Sequence, residues 1–205
     1  MFKKLVFLSL GFLSAAVMAG GTEELQTFLN KVSSAEGSFD QVVVDKSGKL
    51  LDGPSTGVFA FSRPGKFVWE YETPYEQRIV SNGKTLWIWD KDMNQVTVRR
   101  LKGAIPASPA SVLFGQSDLK RDWIVSDEPD AEGCSWVKLK AKEPEAAFSE
   151  VFIGFKDGLP AKLKFTGSLG ETSTLTFENL KTGAGAAASQ YEFKIPKDAD
   201  VLKAD

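Results

Sequence analysis

The sequence predicts a single-domain, mainly β protein that folds as one antiparallel sheet. Residues 59–89 carry eight aromatic side chains, in runs that alternate with smaller or polar residues as strands do. Two tight breaks, RPG at 63–65 and NG at 82–83, separate these runs. Asn-Gly best supplies the positive φ values of a two-residue hairpin turn, so neighbouring strands are expected to pair antiparallel. No long linker or internal repeat divides the chain, which favours one domain.

The first 19 residues have the pattern of a secretory signal peptide. Lys3 and Lys4 precede an apolar run over residues 5–17, and Val17 and Ala19 occupy the small positions before a cleavage site. The run is too short to span a bilayer as a helix. No cysteine lies near the cut, so the bacterial pattern for lipid attachment is absent. We therefore expect a signal peptide over residues 1–19 and a soluble exported domain over residues 20–205.

Composition excludes several classes of function. Without residues 1–19 the chain has 23 Lys and Arg against 27 Asp and Glu, a net charge of about −4, which argues against a nucleic-acid-binding protein. The sequence has no histidine, so Ser-His-Asp and Cys-His arrangements and the usual zinc sites are excluded. Its one cysteine, Cys134, cannot form an intramolecular disulfide. The many aromatic residues indicate an apolar surface or cavity rather than the reaction centre of an enzyme.

Two segments are predicted to be helical. Over residues 22–33 the apolar residues recur at helical spacing, with Thr22 as the predicted N-cap. The apolar residues of this stripe are Leu25, Phe28, Leu29 and Val32. A second, short helix is predicted over residues 109–114, with Ser108 as its N-cap, a proline at the first helical position and a glycine after its end. It would present Ala110, Leu113 and Phe114 on one face. Each helix is expected either to pack on the sheet as part of the core or to act as a movable lid over a cavity.

Further alternating runs continue the sheet and raise the prediction to about eleven strands with two or three helices. Besides the runs within residues 67–89, the predicted strands lie at residues 37–45, 57–62, 95–99, 123–125, 135–141, 148–155, 159–166, 173–180 and 191–195. The predicted architecture is a strongly bent antiparallel sheet that carries the helices on its concave side.

Polar residues that could carry chemistry are better explained as turn or solvated strand positions. The spacing of Asp90, Asp92 and Asn94 is partly that of a calcium loop but lacks its glycine and its distant glutamate. The carboxylate pairs Glu70 with Glu72 and Glu145 with Glu150 could suggest glycoside hydrolysis, and Ser62, Ser81, Ser149 and Cys134 could suggest a nucleophile. Nothing places either carboxylate pair across a cleft, and no serine has a partner base. Neither a metal site nor a catalytic site is therefore predicted.

Four segments, in order along the chain, resemble the LolA family of periplasmic outer-membrane lipoprotein carriers. They are KVSS at 31–34 leading to SF at 38–39, RPGKFVW at 63–69, VSNGKTLW at 80–87 and FKIP at 193–196. The resemblance implies an incomplete, half-open β-barrel closed by short helices, with an apolar interior that takes lipoprotein acyl chains. It also implies cargo received from the inner-membrane transporter LolCDE and passed to an acceptor such as LolB. No cofactor is implied, and a monomer is expected.

The resemblance also assigns expected roles to individual residues. Arg63 would help to hold the lid helices closed. Its position ahead of a Pro-Gly corner independently suggests that its guanidinium bonds backbone carbonyls or lipid oxygens at a cavity mouth. The expected cavity and lid residues are Leu25, Leu29, Arg63, Phe67, Trp69 and Ile79, to which the aromatic strands add Trp87 and the short helix adds Leu113.

Three other functions remain open on the sequence. A regulatory module that senses lipoproteins could use the same kind of sheet, although it would be expected to carry an additional domain. A sibling carrier could use the fold for other acyl cargo. An enzyme acting on lipid is disfavoured by the missing histidine and by serines without a partner base.

Overall fold

The structure is a computed structural model that describes residues 20–51, 53–101, 111–114, 119–143, 148–167, 169–183 and 187–204. The predicted signal peptide, the predicted start of the short helix at Ser108 and Pro109, and Glu145 lie outside these residues. Among the residues described, no helix combines the length and the apolarity that a membrane span requires.

The described chain forms one open, twelve-stranded sheet with three α-helices and one 3-10 helix, so the prediction of a mainly β fold is confirmed. The helices are α1 (Gly21–Lys31), α2 (Ser111–Phe114) and α3 (Leu119–Asp122), and the 3-10 helix is Ala188–Tyr191. The strands are β1 (Ser34–Val44), β2 (Ser55–Ser62), β3 (Lys66–Thr73), β4 (Gln77–Asn82), β5 (Thr85–Asp90), β6 (Gln95–Arg100), β7 (Trp123–Ala131), β8 (Cys134–Ala141), β9 (Glu150–Lys156), β10 (Leu159–Thr166), β11 (Thr172–Thr182) and β12 (Asp200–Ala204). Their order across the sheet is β12-β6-β5-β4-β3-β2-β1-β11-β10-β9-β8-β7.

The sheet curls around α1. Strands β2 and β9 are four positions apart in the sheet, which corresponds to about 19 Å on a flat sheet. Yet the Phe28 ring of α1 lies 6.3 Å from the Phe61 ring of β2 and 6.2 Å from the Phe155 ring of β9. Only a bent sheet brings both strands to one helix. We call the face that carries α1 the inner face and the opposite one the outer face.

Helix α1 is fixed at its first turn by the sheet rather than by its own side chain. The predicted N-cap, Thr22, lies inside the helix, and the N-cap position belongs to Gly20. The backbone N–H of Thr22 donates to Oδ1 of Asp127 on β7 at 2.7 Å. A carboxylate at a helix N-terminus satisfies a free N–H and complements the helix dipole, so a tertiary contact replaces the predicted local cap.

The turn between β4 and β5 uses its asparagine differently from the prediction. Gly83 has φ +87°, whereas Asn82 is not among the residues with positive φ. Instead, Oδ1 of Asn82 accepts hydrogen bonds from the backbone N–H groups of Lys84 at 3.0 Å and Thr85 at 2.9 Å. The side chain of asparagine therefore shapes the turn, and only the glycine supplies the left-handed conformation.

The C-terminal segment corrects two predictions. Residues 191–195 form no strand; Tyr191 ends the 3-10 helix, and both Tyr191 and Phe193 pack on the outer face. Their alternation reflects contact with the sheet surface rather than pairing within it. The last strand is β12, which pairs parallel with β6, so the sheet is not wholly antiparallel.

Candidate functional site

The inner face of β1, β2 and β3 is a surface of stacked aromatic rings. The register places Phe59 opposite Trp69 and Phe61 opposite Phe67, so the alternation predicted from the sequence puts all four on one face. Phe39 of β1 stacks on Trp69, with ring centroids 4.0 Å apart. All five side chains are buried.

Glycines make room for these rings. Gly57 lies opposite Phe39 across the β1–β2 ladder, and a Cβ at Gly57 would lie 2.7 Å from the Phe39 ring and 2.0 Å from the carbonyl oxygen of Glu70. The aromatic surface therefore depends on small residues as well as large ones.

Helix α2 covers this surface by inserting one ring into it. The ring of Phe114 stacks on Phe61 at 4.7 Å and on Phe59 at 5.2 Å, and it lies 5.9 Å from the Trp69 ring. Phe114 is 2% exposed although it belongs to a helix of only four residues. A side chain of α2 thus occupies the most aromatic part of the inner face.

Arg63 joins the two covering helices. Its guanidinium Nη1 donates to the carbonyl oxygens of Leu29, at 3.2 Å, and of Val32, while its Nη2 donates to the carbonyl oxygen of Leu113. The carbonyls at the end of α1 have no partner within the helix, so the arginine satisfies groups that would otherwise be unpaired. Its contacts with backbone carbonyls agree with the expectation from its place before the Pro-Gly corner.

The charge of Arg63 is held among rings. Its Cζ lies 5.3 Å from the centroid of Phe28 and 5.1 Å from that of Phe61. Burial lowers the pKa of Arg63 to about 10, which still leaves the guanidinium protonated at neutral pH. The clamp between α1 and α2 is therefore charged under physiological conditions, and its charge is stabilised by the aromatic faces.

Most of the predicted site residues meet in one cluster on the inner face. Leu25 and Leu113 are fully buried there with Phe67 and Trp69, while Leu29 and Ile79 pack against them as partly buried residues. The sequence prediction omitted Phe114 from the site, although it had placed Phe114 on the apolar face of the short helix. An aromatic residue next to Leu113 on that face was the signal that could have identified it.

Trp87 is the one predicted cavity residue that the structure places elsewhere. It pairs with Val80, whose side chain is on the outer face, and it packs against Phe193 at 6.2 Å. The inner-face residue of β5 at this level is Ile88, which lies opposite Ile79. The prediction selected the larger side chain, but strand alternation assigns the inner face to its neighbour.

Several of the polar residues weighed from the sequence have structural partners. Ser81 is buried, donates to the carbonyl oxygen of Gly65 at 2.7 Å and accepts from the Gly83 N–H at 3.2 Å. Asn94 donates to the Asp198 carbonyl at 2.8 Å. Within the described ranges, no group of three or more His, Cys, Asp or Glu side chains is placed to hold a metal ion.

The comparisons with known proteins agree with this geometry. The family model described as outer membrane lipoprotein carrier protein LolA matches residues 30–194. The outer-membrane lipoprotein carrier protein of Cupriavidus taiwanensis is 42% identical over 193 residues, covering 93% of this chain and 92% of that protein. The namesake from Bordetella pertussis is 42% identical over 185 residues, covering 90% and 87%.

A solved structure adds evidence on the fold alone. An uncharacterized conserved protein from Thermus thermophilus superposes with a TM-score of 0.55 at 13% identity, covering 89% of this chain and 99% of that one. With the family match over most of the sequence and the curled, helix-covered sheet, the chain belongs to the LolA family of outer-membrane lipoprotein carrier proteins.

Proposed function

We propose that the protein carries outer-membrane lipoproteins by holding their acyl chains against the aromatic inner face of the sheet. The observation that carries this proposal is the position of Phe114, whose ring fills the space between Phe59, Phe61 and Trp69. A lid side chain that occupies an aromatic surface can be exchanged for an apolar ligand without exposing that surface to water.

The energetics favour this exchange. Burying one phenylalanine is worth about 1.5–3 kcal/mol, and a good ring pair adds about 0.5–1.5 kcal/mol. Each methylene of an acyl chain contributes about 0.8 kcal/mol, so a chain of ordinary length gains several times what the loss of Phe114 costs. Ligand can therefore displace the lid, while the cost of displacement lowers the net affinity and favours release.

Arg63 sets part of that cost. Opening requires the guanidinium to leave the carbonyl oxygens of Leu29, Val32 and Leu113. Hydrogen bonds from a charged donor make a net contribution of about 1.5–3 kcal/mol each. A carrier must hold its cargo through water and then give it up, and a lid closed by a few such bonds suits an intermediate affinity.

The proposed route runs through the periplasm, which the predicted signal peptide over residues 1–19 supports. The donor is the inner-membrane transporter LolCDE, and the acceptor is LolB where one exists, as the family resemblance implies. The protein works as a monomer and performs no catalytic step. The lipoprotein is its cargo, and no nucleic acid or cofactor takes part.

Photo-crosslinking tests where the cargo lies. A photoreactive residue is placed in turn at Leu29 and at Phe67, both within the inner cluster, and at Asp157 in an exposed turn as the control. We expect lipoprotein to be captured at Leu29 and Phe67 and not at Asp157. Equal capture at all three positions would mean adhesion to the surface at large and would overturn the proposal.

Substitution of Phe67 by glutamate tests the apolar character of the site. Acyl chains would then share the inner face with an unpaired carboxylate or force its protonation. We expect lipoprotein uptake, and displacement of a bound apolar dye by lipoprotein, to be lost in a variant that still folds.

Native mass spectrometry of the parent distinguishes a lipoprotein carrier from a sibling carrier of other acyl cargo. Co-purified triacylated lipoprotein would identify the first function, and another acyl ligand would identify the second.

A further inference from the structure

Exposed apolar side chains occur on the turns at one end of the sheet. They are Leu50 at 46% exposed, Leu51 at 51%, Tyr75 at 71%, Met93 at 66% and Leu169 at 83%, and we call these five residues the apolar rim. Each lies on a connection between strands rather than within a strand.

The topology places these connections together. In an antiparallel sheet, alternate turns fall at the same end, so the β1–β2, β3–β4 and β5–β6 connections share one end. Strand β11 runs antiparallel to β1, and the β10–β11 connection therefore joins them. Along the sheet these four connections follow one another every two strands, about 10 Å apart.

The opposite end has a different character. Its described turns lie between β2 and β3, β4 and β5, β7 and β8, and β9 and β10, and none of them carries a large exposed apolar side chain. Each contains a glycine with positive φ, namely Gly65, Gly83, Gly133 and Gly158. The clamp of Arg63 also lies at this end of β2. The rim and the lid clamp are therefore at opposite ends of the molecule.

Hydrogen bonds hold the rim leucines in place. The Leu51 N–H donates to the Val43 carbonyl at 3.0 Å, and the Asp45 N–H donates to the Lys49 carbonyl at 2.9 Å. In the neighbouring connection, Gly170 packs against the stem of Lys46, since a Cβ at Gly170 would lie 2.1 Å from Cε of the lysine. These leucines are therefore exposed on turns that are held by hydrogen bonds and by packing against each other.

The form of the rim fits a bilayer better than a protein surface. A protein interface buries a contiguous apolar core, whereas the rim presents single side chains about 10 Å apart with polar residues between them. Leucine, methionine and tyrosine at separate tips can each enter the headgroup region, which tyrosine in particular favours. The described residues of the four connections include Asp45, Glu76, Asp92 and Glu171 against Lys46, Lys49 and Lys91, an acidic excess that gives no attraction to anionic lipid.

We propose that the apolar rim is a bilayer-contact surface, which inserts Leu50, Leu51, Tyr75, Met93 and Leu169 shallowly and reversibly into the interface of a zwitterionic membrane. This inference rests on the proposed function, because acyl cargo begins and ends its route in a bilayer. Contact through the rim would leave the lid clamp at the other end free to open.

Vesicle flotation tests the rim directly. The protein, expressed with its own N-terminal segment and purified, is mixed with vesicles of phosphatidylethanolamine and phosphatidylcholine. We expect the triple variant Leu51→Ser, Tyr75→Ser and Leu169→Ser to bind about tenfold more weakly than the parent. Val58→Thr, which alters a 40% exposed valine on the outer face of β2, is the matched control and should bind as the parent does. Equal binding by parent and triple variant would overturn the proposal.

A label reports the depth of insertion. Leu169→Cys, in a Cys134→Ser background, carries an environment-sensitive fluorophore, and Asp157→Cys carries the same label at the other end. We expect a blue shift with neutral vesicles, and quenching by lipid-borne spin labels, only at position 169. The same response at both positions would overturn the proposal, and so would binding that requires added phosphatidylglycerol.

The rim and the cavity can be tested apart. Phe67→Glu, which blocks the acyl site under the proposed function, should keep vesicle binding, while the rim variant should keep apolar-dye binding and its melting temperature. If Phe67→Glu abolishes vesicle binding, the membrane is held through the cavity and the rim proposal fails. If Phe67→Glu leaves lipoprotein uptake intact, the proposed function fails. The rim proposal is then decided by the flotation of the parent and the triple variant.

Discussion

At the scale of single residues, Arg63 links the last turn of α1 to α2. We expect Arg63→Leu to lower the free energy of unfolding by about 2 kcal/mol, because three carbonyl oxygens lose a charged donor while a costly buried charge is also removed. Closure and cargo transfer should suffer more, since both helices lose their common partner. Unfolding and delivery of lipoprotein are measured side by side.

Arg63→Lys is the control for charge. Lysine keeps the cation but offers a single ammonium in place of a planar fork, so it cannot serve α1 and α2 with the same geometry. We expect an intermediate phenotype. A leucine variant that receives and delivers cargo as the parent does would remove Arg63 from the mechanism.

Truncation of the Phe114 side chain should lower the stability of the fold but strengthen the binding of an apolar ligand. Phe114→Ala leaves a cavity against Phe59, Phe61 and Trp69 and should cost about 3 kcal/mol of stability. An apolar ligand should nevertheless bind several-fold more tightly, because no lid ring has to be displaced. Calorimetric unfolding and titration with a fatty acid measure the two effects.

Phe114→Leu provides the comparison, since it keeps most of the apolar volume while losing the ring contacts. Both of its effects should be smaller and of the same signs. If Phe114→Ala weakens fatty-acid binding in a folded protein, Phe114 is part of the binding wall rather than an occupant of the site.

At the scale of elements, the turn between β7 and β8 is tied to β10 by charge. Glu132 accepts hydrogen bonds from Nζ of Lys162 and, at 2.7 Å, from Nζ of Lys164, which lowers the pKa of its carboxyl to about 2. A carboxyl with a depressed folded-state pKa stabilises the fold above its unfolded value of 4.5, and this contribution is lost as the pH falls toward 2.

Glu132→Gln should therefore be less stable than the parent at pH 7 and should approach the parent near pH 2. The Glu132 carboxylate is solvent-exposed, so the effect at pH 7 will be small and should shrink further in high salt. Melting temperatures across this pH range check it. A difference between parent and variant that stays constant from pH 7 to pH 2 would show that the ion pairs contribute nothing.

The elements also show how far the sequence could predict the structure. Helix α1 and the aromatic strands followed from local periodicity, and Leu25, Phe67 and Trp69 lie where their alternation put them. The face of Trp87 did not follow, because Trp87 and Trp89 share one face of β5 while Ile88 lies on the other, and local alternation does not say which face is the inner one. Strand β12 depends on pairing with β6, which is far away in the sequence, and no local pattern encodes that pairing.

The candidate site, too, was predictable where a local sequence pattern encodes it and not where it depends on long-range packing. Arg63 could be singled out from the corner that follows it, but its partners at Leu29, Val32 and Leu113 come from two helices far apart in sequence. The insertion of Phe114 depends on how α2 crosses the sheet, and the four residues of α2 alone do not determine that path.

At the scale of the whole molecule, the sheet and helix α2 are expected to differ in local stability. The sheet is continuous from β12 to β7, and its inner core joins α1 to strands as distant as β2 and β9. The described part of helix α2 has four residues; the Phe114 ring and the Leu113 side chain are buried in the inner core, and the Leu113 carbonyl accepts a hydrogen bond from Arg63. Short helices have little stability of their own, so α2 is expected to open far more often than the sheet unfolds.

Hydrogen exchange of the whole protein measures this difference. Amides of β1, β2 and β11, at the centre of the sheet, should exchange only through global unfolding, whereas those of α2 and the last turn of α1 should exchange through local opening. Loading with lipoprotein should speed exchange in α2, because the cargo takes the place of Phe114, and should leave the central strands unchanged. If α2 is protected as well as β1 in the empty protein, or gains protection on loading, the cargo does not displace the lid. The inner face would then have to be reached by deformation of the sheet itself.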